Sequence, residues 1–473
     1  MGALLNEIMK RTKDIISIRL LRRSKRQQAL SGLRDLGLWG LQINAQGHIA
    51  VGEEDVLDLA QRFGTPLLVV NGKRLKKDAA DIMGAMKKAP AGSQVLYSYK
   101  TNCIPGILRE MHDLGIGAEV ISPYELWLAE HLGLPGDRIL YNGVDKNEES
   151  IQQAVRLNVM SINIDHMEEI GRIQKISRQT NRKVRVGVRL GLVPSSQFGM
   201  EIETGEALEA CQRVASLREN MELCCIHFNV TSNARSAWTH KTCAKKAVEF
   251  ISRVKQETGR SIEYLDIGGG FGVPTSKNMS SVEYAIYRSL GILPRPPDPA
   301  DFQPIKSFLG EILVCIEEEC RARHIEMPKI LIEPGRFLTS RSEFMLAKVL
   351  TVKHKMNGTW FAITNAGRLS ITYPLDFEYH EVFLADRPNA RLNSSYQIMG
   401  RVCTSADWML KNRLLPDLIP GDILAVMDAG AYFSSYSTNF SFPRPPIVMV
   451  DEGRAELIRQ GETFEHLTAM DRV

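Results

Sequence analysis

The sequence predicts an α/β fold: a TIM-like (β/α)8 barrel followed by a C-terminal antiparallel β-sandwich or β-barrel domain. Three observations predict it. From Thr65 to about Ser340, short apolar runs alternate with amphipathic stretches. That pattern implies parallel strands joined by helical crossovers, and the number of units suits a closed barrel better than an open sheet. From Phe344 onward the apolar runs are short, alternate with polar residues and are divided by turn pairs such as Asn357-Gly358 and Pro420-Gly421, the pattern of an antiparallel sheet. Finally, 473 residues exceed what one ordinary domain holds.

Residues 1–40 read as a basic helical extension. Leu4, Leu5, Ile8, Ile15, Ile16 and Ile18 fall at helical spacing among Lys10, Arg11, Lys13, Arg19, Arg22, Arg23, Lys25 and Arg26. Without an uninterrupted apolar stretch this is not a secretory signal. Leu41 to Val51 adds a strand to the β domain, so that domain is expected from residues 41–64 and 341–473, with the barrel over 65–340. Barrel strands are expected at Pro66–Val70, Val95–Tyr99, Gly117–Ile121, Ile139–Tyr141, Ser161–Ile164, Val184–Leu190, Glu222–Phe228, Ile262–Ile267 and Lys329–Ile332. Helices are expected at 76–88, 104–114, 124–132, 148–157, 167–179, 205–217 and 238–258, and β-domain strands at 345–352, 360–364, 396–400, 422–427 and 447–450.

Hydrophobic residues make up 44% and charged residues 24% of the chain, proportions that support a packed globular core. A net charge of +4 speaks against a nucleic-acid binder, and no apolar run is long enough to span a bilayer. The eight cysteines form no CxxC pair or zinc-finger spacing, so reduced thiols in the cytoplasm and no metal site are expected.

Five segments carry chemistry. Lys100 closes the run Gln94 to Tyr99 and is followed by Asn102 and Pro105, which begin a new element. A lysine at the end of a buried strand loses hydration, and desolvation lowers its pKa toward that of an amine competent for Schiff-base chemistry. Gly268-Gly269-Gly270 follows Leu265-Asp266-Ile267 and lets backbone N–H groups approach a phosphate, or forms a tight turn without a ligand. Glu333-Pro334-Gly335-Arg336 ends another strand. Glu333 suits a protonated heterocyclic nitrogen, Arg336 suits a carboxylate or phosphate, and the alternative is a local ion pair. Asp428-Ala429-Gly430-Ala431-Tyr432 sets a tyrosine hydroxyl at the end of a β-domain strand. His227 and Asn229 alternate along Cys225 to Val230, with Ser232 in the loop beyond.

Together, over about Asp55 to Gly453, these segments resemble the pyridoxal-phosphate-dependent decarboxylases of the alanine-racemase-like fold, above all those acting on diaminopimelate, ornithine and arginine. The resemblance implies pyridoxal 5'-phosphate as cofactor, bound by the Lys100 amine as a Schiff base. It implies that Glu333 pairs with the pyridine nitrogen, making the ring an electron sink. Gly268, Gly269, Gly270, Ser232 and Tyr432 hold the phosphate, Gly335 and His227 line the cofactor, and Arg336 lies on its phosphate or substrate side. Cys403 stands where the family has a catalytic cysteine donated across a head-to-tail homodimer. Glu119 stands where the family has an aspartate near the cofactor.

Three departures bear on the substrate. Asn229 replaces the ring-stacking histidine of the family's His-x-His-x-Gly-Ser strand. Thr404 replaces the acidic residue that binds a distal ammonium. The arginine that grips a distal carboxylate is missing from Tyr373-Pro374-Leu375-Asp376-Phe377, with Arg368 or Arg401 as candidate replacements and Tyr373 retained at the substrate. The expected activity is therefore removal of the α-carboxylate from an amino acid, or an amino-acid conjugate on a carrier protein in specialised metabolism. The competing readings are a non-catalytic homologue acting as a binding protein, and a racemase or condensing enzyme on the same scaffold. Glu333 disfavours the racemase, because racemases of this fold place an arginine there.

Overall fold

The computed structural model describes residues 19–193, 196–367 and 377–472. They fall into two compact units. One draws its described residues from Met1–Leu75, Val273–Asp301 and Thr339–Val473, the other from Lys76–Gly272 and Phe302–Leu338.

The second unit is the barrel. Its strands are Gln94–Ser98, Gly117–Val120, Ile139–Tyr141, Ser161–Ile164, Val184–Arg189, Met221–His227, Tyr264–Asp266 and Lys329–Ile332. Each is parallel to the next, and the last closes on the first through Leu331 opposite Gln94 and Ile332 opposite Val95. Closure brings all eight carboxyl ends to one mouth, which is where such barrels place chemistry. The crossover helices begin where the sequence supplies caps. Ser122 accepts from Glu125 N at 3.2 Å at the head of Pro123–His131, and Asn147 accepts from Ser150 N at 2.8 Å at the head of Glu148–Leu157.

The strand expected at Pro66–Val70 forms as Leu67–Asn71 but is not a barrel strand. It pairs antiparallel with Glu343–Leu346 and parallel with Ile447–Val450 in the sheet unit. Its side chains are buried on both faces, so periodicity alone does not say which sheet it joins. Likewise Val273–Asp301 leaves the barrel for the sheet unit. The helix Ser281–Leu290 buries Tyr287 there, edge-on to Trp408 at 5.6 Å.

The sheet unit carries a nine-stranded sheet. It is mixed rather than purely antiparallel, since Trp360–Thr364 and Ser394–Met399 also pair in parallel. Leu41–Ile43 and Ile49–Val51 form a small three-stranded sheet with Glu54–Asp55 instead of joining the large one. Trp39, Phe344, Phe383, Ala425 and Val448 lie in one core cluster.

Of the N-terminal extension, residues 1–18 lie outside the described residues. A helix over 19–29 packs against the sheet unit. Ser24 Oγ donates to Leu293 O at 3.2 Å. Gln28 accepts from Leu414 N at 3.0 Å and donates to Asn412 O at 3.3 Å, capping the edge strand Trp408–Leu415. Arg34 stacks on Phe383 at 4.4 Å, and its Nη1 lies 3.6 Å from Glu381. Glu381 also meets the buried Arg413 at 2.6 Å.

Candidate active site

Lys100 sits in a single 3₁₀ turn, Tyr99–Thr101, at the carboxyl end of the first barrel strand. Its side chain is 34% exposed, and its Nζ lies 3.6 Å from Oε2 of the buried Glu119 on the second strand. Ser98 Oγ donates to the same Oε2 at 2.5 Å.

A polar chain crosses the barrel interior from there. Asn142, just past the third strand, donates through Nδ2 to Glu119 Oε1 at 3.0 Å and to Glu333 Oε1 at 2.5 Å. Asn163 on the fourth strand donates to Asn142 Oδ1 at 2.9 Å, and Ser161 donates to Asn163 Oδ1 at 2.9 Å. The amides hold Glu119 and Glu333 at fixed positions in a region closed to water. Burial and the Glu119 charge push the Glu333 carboxyl up to about 7, while Lys100 pulls it down.

His227 ends the sixth strand, fully buried. Its Nε2 is 3.6 Å from Glu333 Oε1, and neither ring nitrogen has a hydrogen-bond partner among the described residues. Burial, reinforced by Arg189 and Lys100, drives its pKa well down, so the ring is neutral. Asn229 lies just beyond it, half-buried, and Ser232 is exposed in the following loop.

The glycine turn is built for close approach. Gly268 and Gly270 have φ of +68° and +79°. A Cβ on Gly268 would lie 2.6 Å from Phe228 O, and one on Gly270 would lie 2.1 Å from Thr231 O. Any side chain would push this turn away from the loop that carries Asn229 and Ser232. Gly335 is as confined, its position for a Cβ lying 2.1 Å from Thr101 Oγ1. Arg336 is buried and opens the short helix Arg336–Thr339.

The structure thus brings Lys100, Glu119, His227, Asn229, Gly268 to Gly270, Glu333, Gly335 and Arg336 to the barrel's carboxyl end. Arg401, Cys403, Thr404 and Tyr432 belong to the sheet unit. Cys403 and Thr404 are exposed there. The Arg401 guanidinium lies over the Phe442 ring, 3.7 Å from its centroid. Tyr432 has φ +70°. Its motif rests on the buried Asp428, which accepts from Trp39 Nε1 at 2.9 Å, Thr275 Oγ1 at 2.6 Å and Ser340 Oγ at 3.1 Å. Tyr373 and Arg368 lie outside the described residues. Sequence reasoning missed Asn142, Asn163 and Asp266; two amides in or beside otherwise apolar strands were the available signal.

Comparison with known proteins decides the family. The sequence profile described as the pyridoxal-dependent decarboxylase, pyridoxal binding domain, matches residues 77–340, and that of the C-terminal sheet domain matches 337–430. The chain belongs to the pyridoxal-dependent decarboxylases. This decarboxylase is 28% identical over 440 residues to the diaminopimelate decarboxylase of Methanothermobacter thermautotrophicus, covering 90% of this chain and 96% of that one. It is 27% identical to the diaminopimelate decarboxylase of Aquifex aeolicus, covering 89% and 95%. The crystal structure of the M. jannaschii diaminopimelate decarboxylase in complex with L-lysine superposes with a TM-score of 0.79 at 26% identity, covering 92% of this chain and 98% of that one.

The decarboxylase uses pyridoxal phosphate, and the barrel mouth fits that group. An accessible amine stands beside a buried carboxylate, a backbone turn has no room for side chains, and the ring nitrogens of His227 are buried without partners among the described residues. Among the described residues, no helix is long and apolar enough to cross a membrane.

Proposed function

We propose that this decarboxylase removes the α-carboxylate of an amino acid whose distal end is neutral, acidic or conjugated, rather than of free diaminopimelate, lysine or ornithine. Thr404 carries the proposal, because it stands where the family resemblance puts a carboxylate for a distal ammonium. The nearest acid in the same loop does not take its place. Asp407 is buried, and its Oδ2 accepts from Val402 N at 2.8 Å, so it serves the turn.

Bound pyridoxal phosphate supplies an electron sink for the pair of electrons left when CO2 departs. The remaining work falls to side chains of this chain. Lys100 would hold the coenzyme through its amine. Glu333, fixed by Asn142, presents a carboxylate to the ring nitrogen. Gly268, Gly269 and Gly270 would turn backbone N–H groups to the phosphate, and Ser232, Arg336 and Tyr432 are the side chains proposed to hold it with them. Glu119 and His227 would line the coenzyme site, and Asn229 would offer it an amide where the family has an imidazole. Cys403, from the second chain of a head-to-tail dimer, returns a proton to the α-carbon. We place the reaction in the cytoplasm, where a reduced Cys403 survives. The exposed basic residues Arg19, Arg22, Arg23, Lys25 and Arg26 offer a docking face for an acidic carrier protein.

CO2 release from a panel of free and tail-conjugated amino acids, with pyridoxal phosphate supplied, tests this. Conjugated or neutral-tailed substrates are expected to exceed diaminopimelate in kcat/KM by about tenfold or more, the value of roughly one lost ionic contact. Efficient turnover of diaminopimelate with inert conjugates would overturn the proposal.

A further inference from the structure

Behind Glu333 the barrel buries a second carboxyl with no task so far. Asp266 ends the seventh strand, is wholly inaccessible, and accepts from Gly268 N at 3.0 Å through Oδ1. Among the described residues no donor reaches its Oδ2. Ligand-type atoms of His227, Asp266 and Glu333 all lie within 4.8 Å of one another.

The cations around this cluster pair most closely with other carboxylates, and Lys100 and Arg189 act on Glu333 from farther off. Lys100, at the first strand, lies 3.6 Å from Glu119. Lys146, after the third, meets Glu169 at 2.9 Å. Arg189, on the fifth, lies 3.4 Å from Asp165. Each of these carboxylates therefore has a cation of its own. Asp266 and Glu333 are left facing each other and the neutral His227, with the Glu119 charge one amide away through Asn142. Two buried carboxyls this close do not both ionise.

We propose that Asp266 is a neutral acid, a positioning residue whose own proton is donated to Glu333, so that the pair carries one negative charge, centred on the carboxylate that meets the coenzyme ring. A proton on Oδ2 also accounts for the lack of any other donor there. The asymmetry runs the same way. Burial first, then the Glu333 charge, hold Asp266 well above the usual carboxylate range, whereas Lys100 draws Glu333 back down. The inference rests on the coenzyme reading for the use of the pair, but not for its protonation.

The test is infrared spectroscopy of the coenzyme-free full-length protein at pH 8, where Glu125, raised to about 7 by burial, is mostly ionised. The carbonyl stretch of a protonated carboxyl is expected, shifting when aspartate is labelled with carbon-13 at its carboxyl and unmoved by the same label in glutamate. The wild type suffices, so no variant has to fold. Asp266→Asn, whose amide donates permanently to Glu333, is expected to remove the band and keep coenzyme affinity within about threefold, whereas Asp266→Ala weakens it about tenfold or more. Absence of the band, its assignment to glutamate, or equal coenzyme loss in the two variants would overturn the inference. A wild type that shows the band but takes up no pyridoxal phosphate would instead refute the coenzyme reading.

Discussion

Lys100→Ala is expected to reduce CO2 release on the order of a thousand-fold or more and to abolish the visible absorption of bound pyridoxal phosphate. The size follows from removing a positioned reacting group that nothing nearby replaces. The next buried amine in the barrel, Lys146, is held by Gly143 O at 2.5 Å and Glu169 Oε1 at 2.9 Å, out of contact with water. Lys100 is one-third exposed, so its truncation leaves no cavity in the core, but it takes the cation from the buried Glu119, and a lower urea midpoint than the parent's is expected beside the lost activity. Activity measured beside the urea midpoint separates lost chemistry from lost folding.

Lys146→Met should have the opposite profile, with a large loss of stability. Lys146 and Glu169 are a fully buried ion pair tying the loop after the third strand to the helix Glu168–Thr180, and Glu169 Oε2 also accepts from Asp165 N at 2.7 Å. Removing the amine strands a carboxylate in the interior, at a cost of about 3–5 kcal/mol. Replacing both partners, Lys146→Met with Glu169→Leu, leaves no stranded charge and should recover most of that loss. Urea denaturation of the single and double variants checks both. A double variant no more stable than the single one would mean that the pair acts through its hydrogen bonds to the strand ends rather than its charges.

Much of this was legible in the sequence because the local signals agreed with the tertiary structure. Trp360–Thr364, Glu148–Leu157 and Trp238–Thr258 form over the residues that periodicity indicated. The eight barrel strands that form are near-continuous apolar runs, the pattern that parallel strands covered on both sides produce. The same feature explains why Leu67–Asn71 was given to the wrong sheet: a strand buried on both faces reads alike in either setting. The helix Ile305–Ala322 went unread although Phe308, Leu309, Ile312, Leu313 and Ile316 carry its stripe.

In the site, residues at strand ends with chemical side chains stood out: Lys100, Glu333 and the glycine turn. Asn142 and Asn163 did not, because a single amide carries no periodic signal and its importance appears only when strands far apart in sequence converge. Asp266 was visible in Leu-Asp-Ile-Gly-Gly-Gly, yet nothing local told that its carboxyl faces Glu333.

The most direct measurement is borohydride reduction of the protein loaded with pyridoxal phosphate, followed by peptide mass analysis. A single phosphopyridoxyl adduct on Lys100, in the peptide containing Tyr97 to Asn102, is the expected result. An adduct on another lysine, or none in a folded protein saturated with coenzyme, would contradict the account.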